Sequence, residues 1–167
     1  MYGDFQCPYC TAAYPILQRV RDQLAGRLIF GFRHFPLRDV HPDAQRAAEA
    51  AEAAAAQGAF WEMHDKLIEH QDELRPSDLK RYAEELSLDV DRFTDELRRR
   101  EHAPRVAEDV ATADSSGVAG TPSFFNNGRR HQGAYDVRTL TDSVRRARNR
   151  ARLRQKADRQ AEPQTVA

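Results

Sequence analysis

The sequence predicts an α/β fold in which an all-helical insertion separates a β-α-β unit from a β-β-α unit. Three observations carry this reading. Strand-like runs rich in β-branched and aromatic residues occur at Met1–Phe5, Leu28–Phe35 and Ser123–Asn126. Helical patterning runs from His41 to about Asp114 without a strand signal. An Asn127-Gly128 pair follows the third strand and turns the chain into Arg129–Gly133, as a β-hairpin requires.

Met1–Phe5 reads as the end of a strand that leads straight into Cys7. Pro8 to about Leu24 is a predicted helix, because Ile16, Leu17, Val20 and Leu24 share one face, with Gly26 as its stop and Pro15 as a kink inside it. Leu28–Phe35 reads as the second strand. In the insertion, Ala44–Gln57 is alanine-rich and ends before Gly58, and Phe60–His70 places Phe60, Met63, His64, Leu67 and Ile68 on one face. Ser77 is the expected N-cap of a helix over Asp78–Leu86, and Asp89 of one over Val90–Arg100. Pro104 opens a last helix that stops at Ser115-Ser116-Gly117. After the hairpin, Asp136 caps a closing helix carrying Leu140 and Val144.

Of 167 residues, 31% are charged and 40% hydrophobic, as suits one globular domain. No run approaches the ~20 apolar residues of a membrane span, and no signal-peptide pattern opens the chain. Read as it stands, the chain is therefore expected in the cytoplasm. An upstream segment carrying an export signal would make it periplasmic or extracytoplasmic. Its 26 cations balance its 26 acids, but residues 145–159 hold eight cations against Asp158 alone, a net +7, which leaves −7 on the remainder. A mildly acidic body with a basic end is not the composition of a nucleic-acid-binding domain, and the basic stretch reads as a solvated helix end.

Both cysteines fall in Cys7-Pro8-Tyr9-Cys10, so they are chemical rather than architectural. A strand ending before Cys7 and a helix starting at Pro8 put Cys7 where unpaired amides and the helix dipole favour an anion. A thiolate there is the reactive form. Cys10, one turn further in, is placed to attack a mixed disulfide on Cys7, and Pro8 preorganises the first turn. Cys-x-x-Cys is also half of a zinc site, with His34 and His41 as the available completing ligands, but a second ligand pair at short spacing is absent. Thr121-Pro122 stands at the start of a strand, where a cis proline is tolerated and leaves the Thr121 backbone open to pair with a peptide. The Phe60-Trp61-Glu62-Met63-His64 stripe reads as packed core rather than a ligand pocket. Asp4 beneath Cys10 is a candidate acid/base.

The blocks Gly3–Cys10, Phe32–Leu37, His41-Pro42, Gln57–His64 and Gly117–Gly128, taken in order, resemble the DsbA-like thioredoxins over about residues 2–146. The resemblance implies a thioredoxin fold with an inserted all-helical subdomain. It also implies dithiol–disulfide exchange with cysteine-containing protein substrates, an unidentified redox partner and no cofactor or metal. By motif position Cys7 becomes the attacking cysteine, Cys10 the resolving one, Pro122 the cis proline, and Thr121 the residue that tunes substrate pairing. The division that follows is residues 1–40 with 115–150 as the thioredoxin-like domain, 41–114 as the insert, and 151–167 as a basic, disordered tail. Two departures stand out. Tyr9 replaces the histidine of the best-known members and supplies no positive charge, and the first central strand is truncated ahead of Tyr2. Two other readings stay open: a glutathione-dependent, glutaredoxin-like reductase, and a non-catalytic thioredoxin-fold module once appended to a larger protein.

Overall fold

The computed structural model describes residues 1–161 and has the α/β fold with a helical insertion. Its elements are β1 (Tyr2–Gly3), α1 (Pro8–Gln23), β2 (Arg33–His34), α2 (Ala44–Ala55), α3 (Phe60–Glu69), α4 (Pro76–Glu85), α5 (Val90–Arg99), α6 (Ala103–Ser115), β3 (Phe125–Asn126), β4 (Arg129–Arg130) and α7 (Val137–Ala161). They form two compact units, which divide within α1. The first is Met1–Pro15 with Phe30–Ser123, and the second is Ile16–Ile29 with the chain from Phe124 onward.

In the first unit β1 is the central strand. It pairs in parallel with β2, Tyr2 opposite Arg33 and Gly3 opposite His34, and Tyr2 bridges antiparallel to Ser123 on its other side. The amides of Arg33 and Phe35 donate to Met1 and Gly3, each at 2.8 Å. The strand expected over Leu28–Phe35 is thus confined to its last residues. The Met1 amino group also donates to the Gly31 carbonyl at 2.8 Å, and Ile29 further upstream is 98% exposed. Gly3 is required by packing: a Cβ there would lie 2.4 Å from Cε2 of Phe32.

The helices α2–α6, the helical insertion, belong to this same unit. The reason lies in α6. Asp109, fully buried, accepts from the backbone amide of His34 at 2.9 Å and pairs with Arg33 of β2 at 3.1 Å and Arg105 at 2.8 Å. The alanines of α2 let α3, α5 and α6 approach its axis closely. Met63, Leu67, Ile68, Leu79, Tyr82 and Phe93 fill the space between, each side chain worth roughly 1.5–3 kcal/mol when fully buried. The α5 cap is Asp89, whose Oδ1 accepts from the Arg92 amide at 3.0 Å, as expected. The α4 cap is not Ser77 but Arg75. Pro76 occupies the first turn, where its missing N–H costs nothing, and Asp78 accepts from the Arg75 amide at 3.1 Å.

In the second unit Leu17 and Val20 of α1, Leu24 just after it, and Leu140 and Ala147 of α7 are buried. The β3–β4 hairpin turns at Asn127 and Gly128, with φ of 49° and 77°, the two positive values of a type I′ turn. Asp136 caps α7 by accepting from the Thr139 amide at 2.8 Å. The helix continues to Ala161, so residues 151–161, expected in a disordered tail, are helical. Arg, Ala, Leu, Gln and Lys are all strong helix formers, and that propensity outweighs the charge. The rest of the expected tail, residues 162–167, lies outside the described residues.

Candidate active site

Cys7 immediately precedes α1, and its carbonyl accepts from the Cys10 amide at 3.0 Å, so the turn that opens the helix also spaces the two cysteines. They lie 4.1 Å apart, both are free thiols, and they are 3% and 1% exposed. Pro8 and Tyr9 between them face outward, Tyr9 at 63% exposure.

The two sulfurs have different surroundings. Cys7 Sγ lies 3.4 Å from the carbonyl oxygen of Thr121, and Cys10 Sγ accepts from the backbone amide of Asp4 at 3.4 Å. A hydrogen bond from Cys10 is the largest influence holding the Cys7 thiol down, to about 5. Burial opposes it, and Thr121 and the amides of Cys10 and Tyr9 assist. Cys10 is pushed up, chiefly by that same shared hydrogen bond and then by burial. At neutral pH the pair carries one proton, on Cys10, and an anion on Cys7.

The Thr121–Pro122 bond is cis, and Thr121 stands at Cys7 from a position 114 residues away. His34 and His41 do not turn toward the cysteines. His34 Nε2 meets Glu52 at 2.9 Å, and His41 Nδ1 meets Asp4 at 2.8 Å. Among the described residues, no group of three or more His, Cys, Asp or Glu side chains gathers at metal-binding distance. His64 is buried among Phe5, Phe32, Phe60 and Trp61, with ring centroids 4.8–6.1 Å away, so Met63 and His64 of this stripe are core, while Trp61 lies at the surface.

Gln71 and the Gln6–Asp43 pair had no sequence signal strong enough to find them, and Asp4, singled out in the sequence as a candidate acid/base, has partners that no sequence signal marked. Gln71, in the loop after α3, donates from Nε2 to the carbonyls of Phe5 at 2.7 Å and Cys7 at 2.8 Å. Asp4, whose side chain is fully buried, accepts from the amides of Gln6 at 2.7 Å and Leu37 at 2.8 Å as well as from His41. Gln6 and Asp43 exchange hydrogen bonds, the Asp43 amide to Gln6 Oε1 at 2.8 Å and Gln6 Nε2 to Asp43 Oδ2 at 3.4 Å. Together they fix the loop Asp4–Cys7 from both sides.

A family model described as thioredoxin matches residues 1–145. The chain belongs to the thioredoxin family. A thioredoxin-like oxidoreductase from Silicibacter pomeroyi superposes with a TM-score of 0.78 at 28% identity, over 89% of this chain and 84% of that one. BdbD from Bacillus subtilis gives 0.78 at 20% identity, over 87% and 84%. DsbA from Xylella fastidiosa gives 0.71 at 21%, over 90% and 84%. The last two show the fold alone.

Sequence relatives add a different fact. A protein named sodium/proton antiporter NhaA 3 from Salinispora tropica is 54% identical over 99% of this chain but 25% of its own length. One named NhaA 1 from Salinispora arenicola is 55% identical over 95% of this chain and 24% of its own. The chain thus spans about a quarter of the length of the curated relatives it matches. No helix among the described residues is long and apolar enough to cross a membrane.

Proposed function

We propose that this thioredoxin-family chain is a thiol–disulfide oxidoreductase that exchanges disulfides with cysteine-containing protein substrates through Cys7 and Cys10. The observation that carries the reading is the inequality of the two sulfurs, Cys7 held as an anion at the helix start and Cys10 held as a buried thiol.

In the reducing direction, the Cys7 thiolate attacks one sulfur of a substrate disulfide. A Cys7–substrate disulfide forms, and the substrate's other sulfur leaves as a thiolate. Cys10 then loses its proton and attacks Cys7. The Cys7–Cys10 disulfide forms, and the substrate departs as a dithiol, having gained two electrons from the pair, one proton from Cys10 and one proton from solvent. The oxidising direction is the same path reversed, and a partner dithiol–disulfide couple resets the pair. The exposed side chain of Tyr9 and the backbone at Thr121 flank the attacking sulfur, where an extended substrate segment can add as a strand. Insulin reduction and oxidation of a dithiol peptide test this. Cys7→Ser is expected to abolish both, and Cys10→Ser to accumulate mixed disulfides. Wild-type rates in Cys7→Ser would reject the reading.

The antiporter-named relatives favour a second reading, in which this redox unit serves as a module of a longer transport protein. The Salinispora tropica protein, carrying this chain in place of its matching quarter, tests it. Sodium-driven proton flux should differ between the wild-type module and Cys7→Ser/Cys10→Ser as the redox buffer is varied. Equal flux across all buffers would dismiss it.

A further inference from the structure

A groove on the helical insertion begins beside the loop that carries Cys7. Asp43 is bonded to Gln6, the residue before Cys7, and the neighbouring Pro42 lines a cleft of about 680 Å³. Phe93, fully buried, contributes to its lining, together with Leu97 and Pro76. A second cavity of about 310 Å³ shares Arg38, Gln45 and Arg100 with the first and continues along Ala103, Ala107 and Val110 on α6. The surface is therefore apolar at both ends and cationic where the two cavities meet.

Some of the cations lining the groove are not consumed by the fold. Arg100 is held by Glu49 at 2.7 Å, and this contact satisfies the one buried carboxylate in the cleft. Arg38 and Arg46 are exposed, and neither makes an ion pair among the described residues. Lys80 reaches Glu84 only at 3.8 Å. A guanidinium left over an apolar surface suits a carboxylate, because the flanking apolar contacts exclude water and strengthen the pair. Asp114, at the far end of the second cavity, disfavours a second acid there.

We infer that this groove binds the flank of a protein substrate whose cysteine engages Cys7, and that the flank it selects is an acidic residue between apolar ones. The inference rests on the oxidoreductase reading for its purpose but not for its test. Arg38 and Arg46 receive the acid, while Pro76 and Leu97 on one side and Val110 on the other receive the apolar neighbours. The groove is a specificity surface, so it governs KM and association rate while leaving the chemistry at the sulfurs to the cysteine pair.

Binding is measured first with fluorescein-labelled peptides in which serine replaces cysteine, one with an apolar–Glu–apolar flank and one with Lys at the Glu position. At low salt the acidic peptide is expected to bind the wild-type protein at least about tenfold more tightly. Arg38→Glu/Arg46→Glu should reverse the preference, and Arg154→Glu on α7 should leave it unchanged. The cysteine-containing versions should then show the same preference in KM. Equal binding of the two peptides, or a preference that survives Arg38→Glu/Arg46→Glu, overturns the groove assignment. Loss of exchange with both cysteine peptides while serine-peptide selectivity persists would count against the oxidoreductase reading alone.

Discussion

The side-chain amide of Gln71 lies 2.8 Å from the carbonyl oxygen of Cys7 and 2.7 Å from that of Phe5, so one residue of the insertion holds the candidate nucleophile's backbone. Gln71 is half-buried, and water replaces part of what its removal would leave unpaired. Gln71→Leu is therefore expected to cost about 1–2 kcal/mol, against ~1–3 for each fully buried orphaned acceptor. Gln71→Glu should cost more, since a carboxylate sets acceptors against acceptors. Chemical denaturation ranks the two variants. A Gln71→Glu protein as stable as wild type would show that the contact does not hold the loop.

What was legible in the sequence was what is encoded locally. The Cys-Pro-Tyr-Cys run, the Asn127-Gly128 turn and the Asp89 cap each act within a few residues, and each stands where the residues indicate. Gln71, the Asp4–His41 pair and Asp109 were not legible, because their partners lie 64, 37 and 75 residues away and no periodicity marks them. The length of β2 was misread for a related reason. Leu28–Phe30 has β-propensity, but a strand needs a neighbour, and the hydrogen bonds between the two strands run only from Gly31 to Phe35 among the described residues.

Asp4 offers a graded test of the buried network beneath Cys10. Asp4→Ala orphans two backbone amides and the His41 donor at a fully buried position, and the expected loss is about 3–5 kcal/mol. Asp4→Asn keeps one oxygen, and His41 can accept through its other tautomer, so one amide is left unsatisfied at about 1–3 kcal/mol. His41→Ala opens a partly exposed position and should cost less than either. Unfolding free energies in any other order would mean that the network is assigned wrongly.

Gly3 tests the packing of β1. Its missing side chain admits the ring of Phe32, which stacks on Phe5 at 5.1 Å and meets His64 edge-on at 4.8 Å, so the ring has no room to retreat. Gly3→Ala is expected to destabilise by roughly 1–3 kcal/mol, the usual cost of overpacking. Phe32→Leu combined with Gly3→Ala should recover part of that loss. A neutral Gly3→Ala would place Phe32 elsewhere.

The titration of Cys7 links activity to stability. Its folded pKa, about 5, lies below the ordinary thiol value of 9.0, so its ionisation stabilises the folded dithiol form. The contribution is full above the unfolded pKa and is lost as pH falls through the folded one. At pH 7 roughly two units of the shift are realised, or about 3 kcal/mol at 1.36 kcal/mol per unit. Oxidation removes this contribution. In exchange it constrains the unfolded chain through a four-residue loop, worth about 2 kcal/mol. The two nearly cancel at neutral pH. The disulfide form should therefore unfold at the higher temperature near pH 5, and the dithiol form near pH 8, with a crossing between. Iodoacetamide should label Cys7 at a rate that levels off above pH 6, while Cys10 stays unreactive. A constant gap between the two melting temperatures from pH 5 to 8, or equal labelling of the two thiols, would refute the assignment of the anion to Cys7.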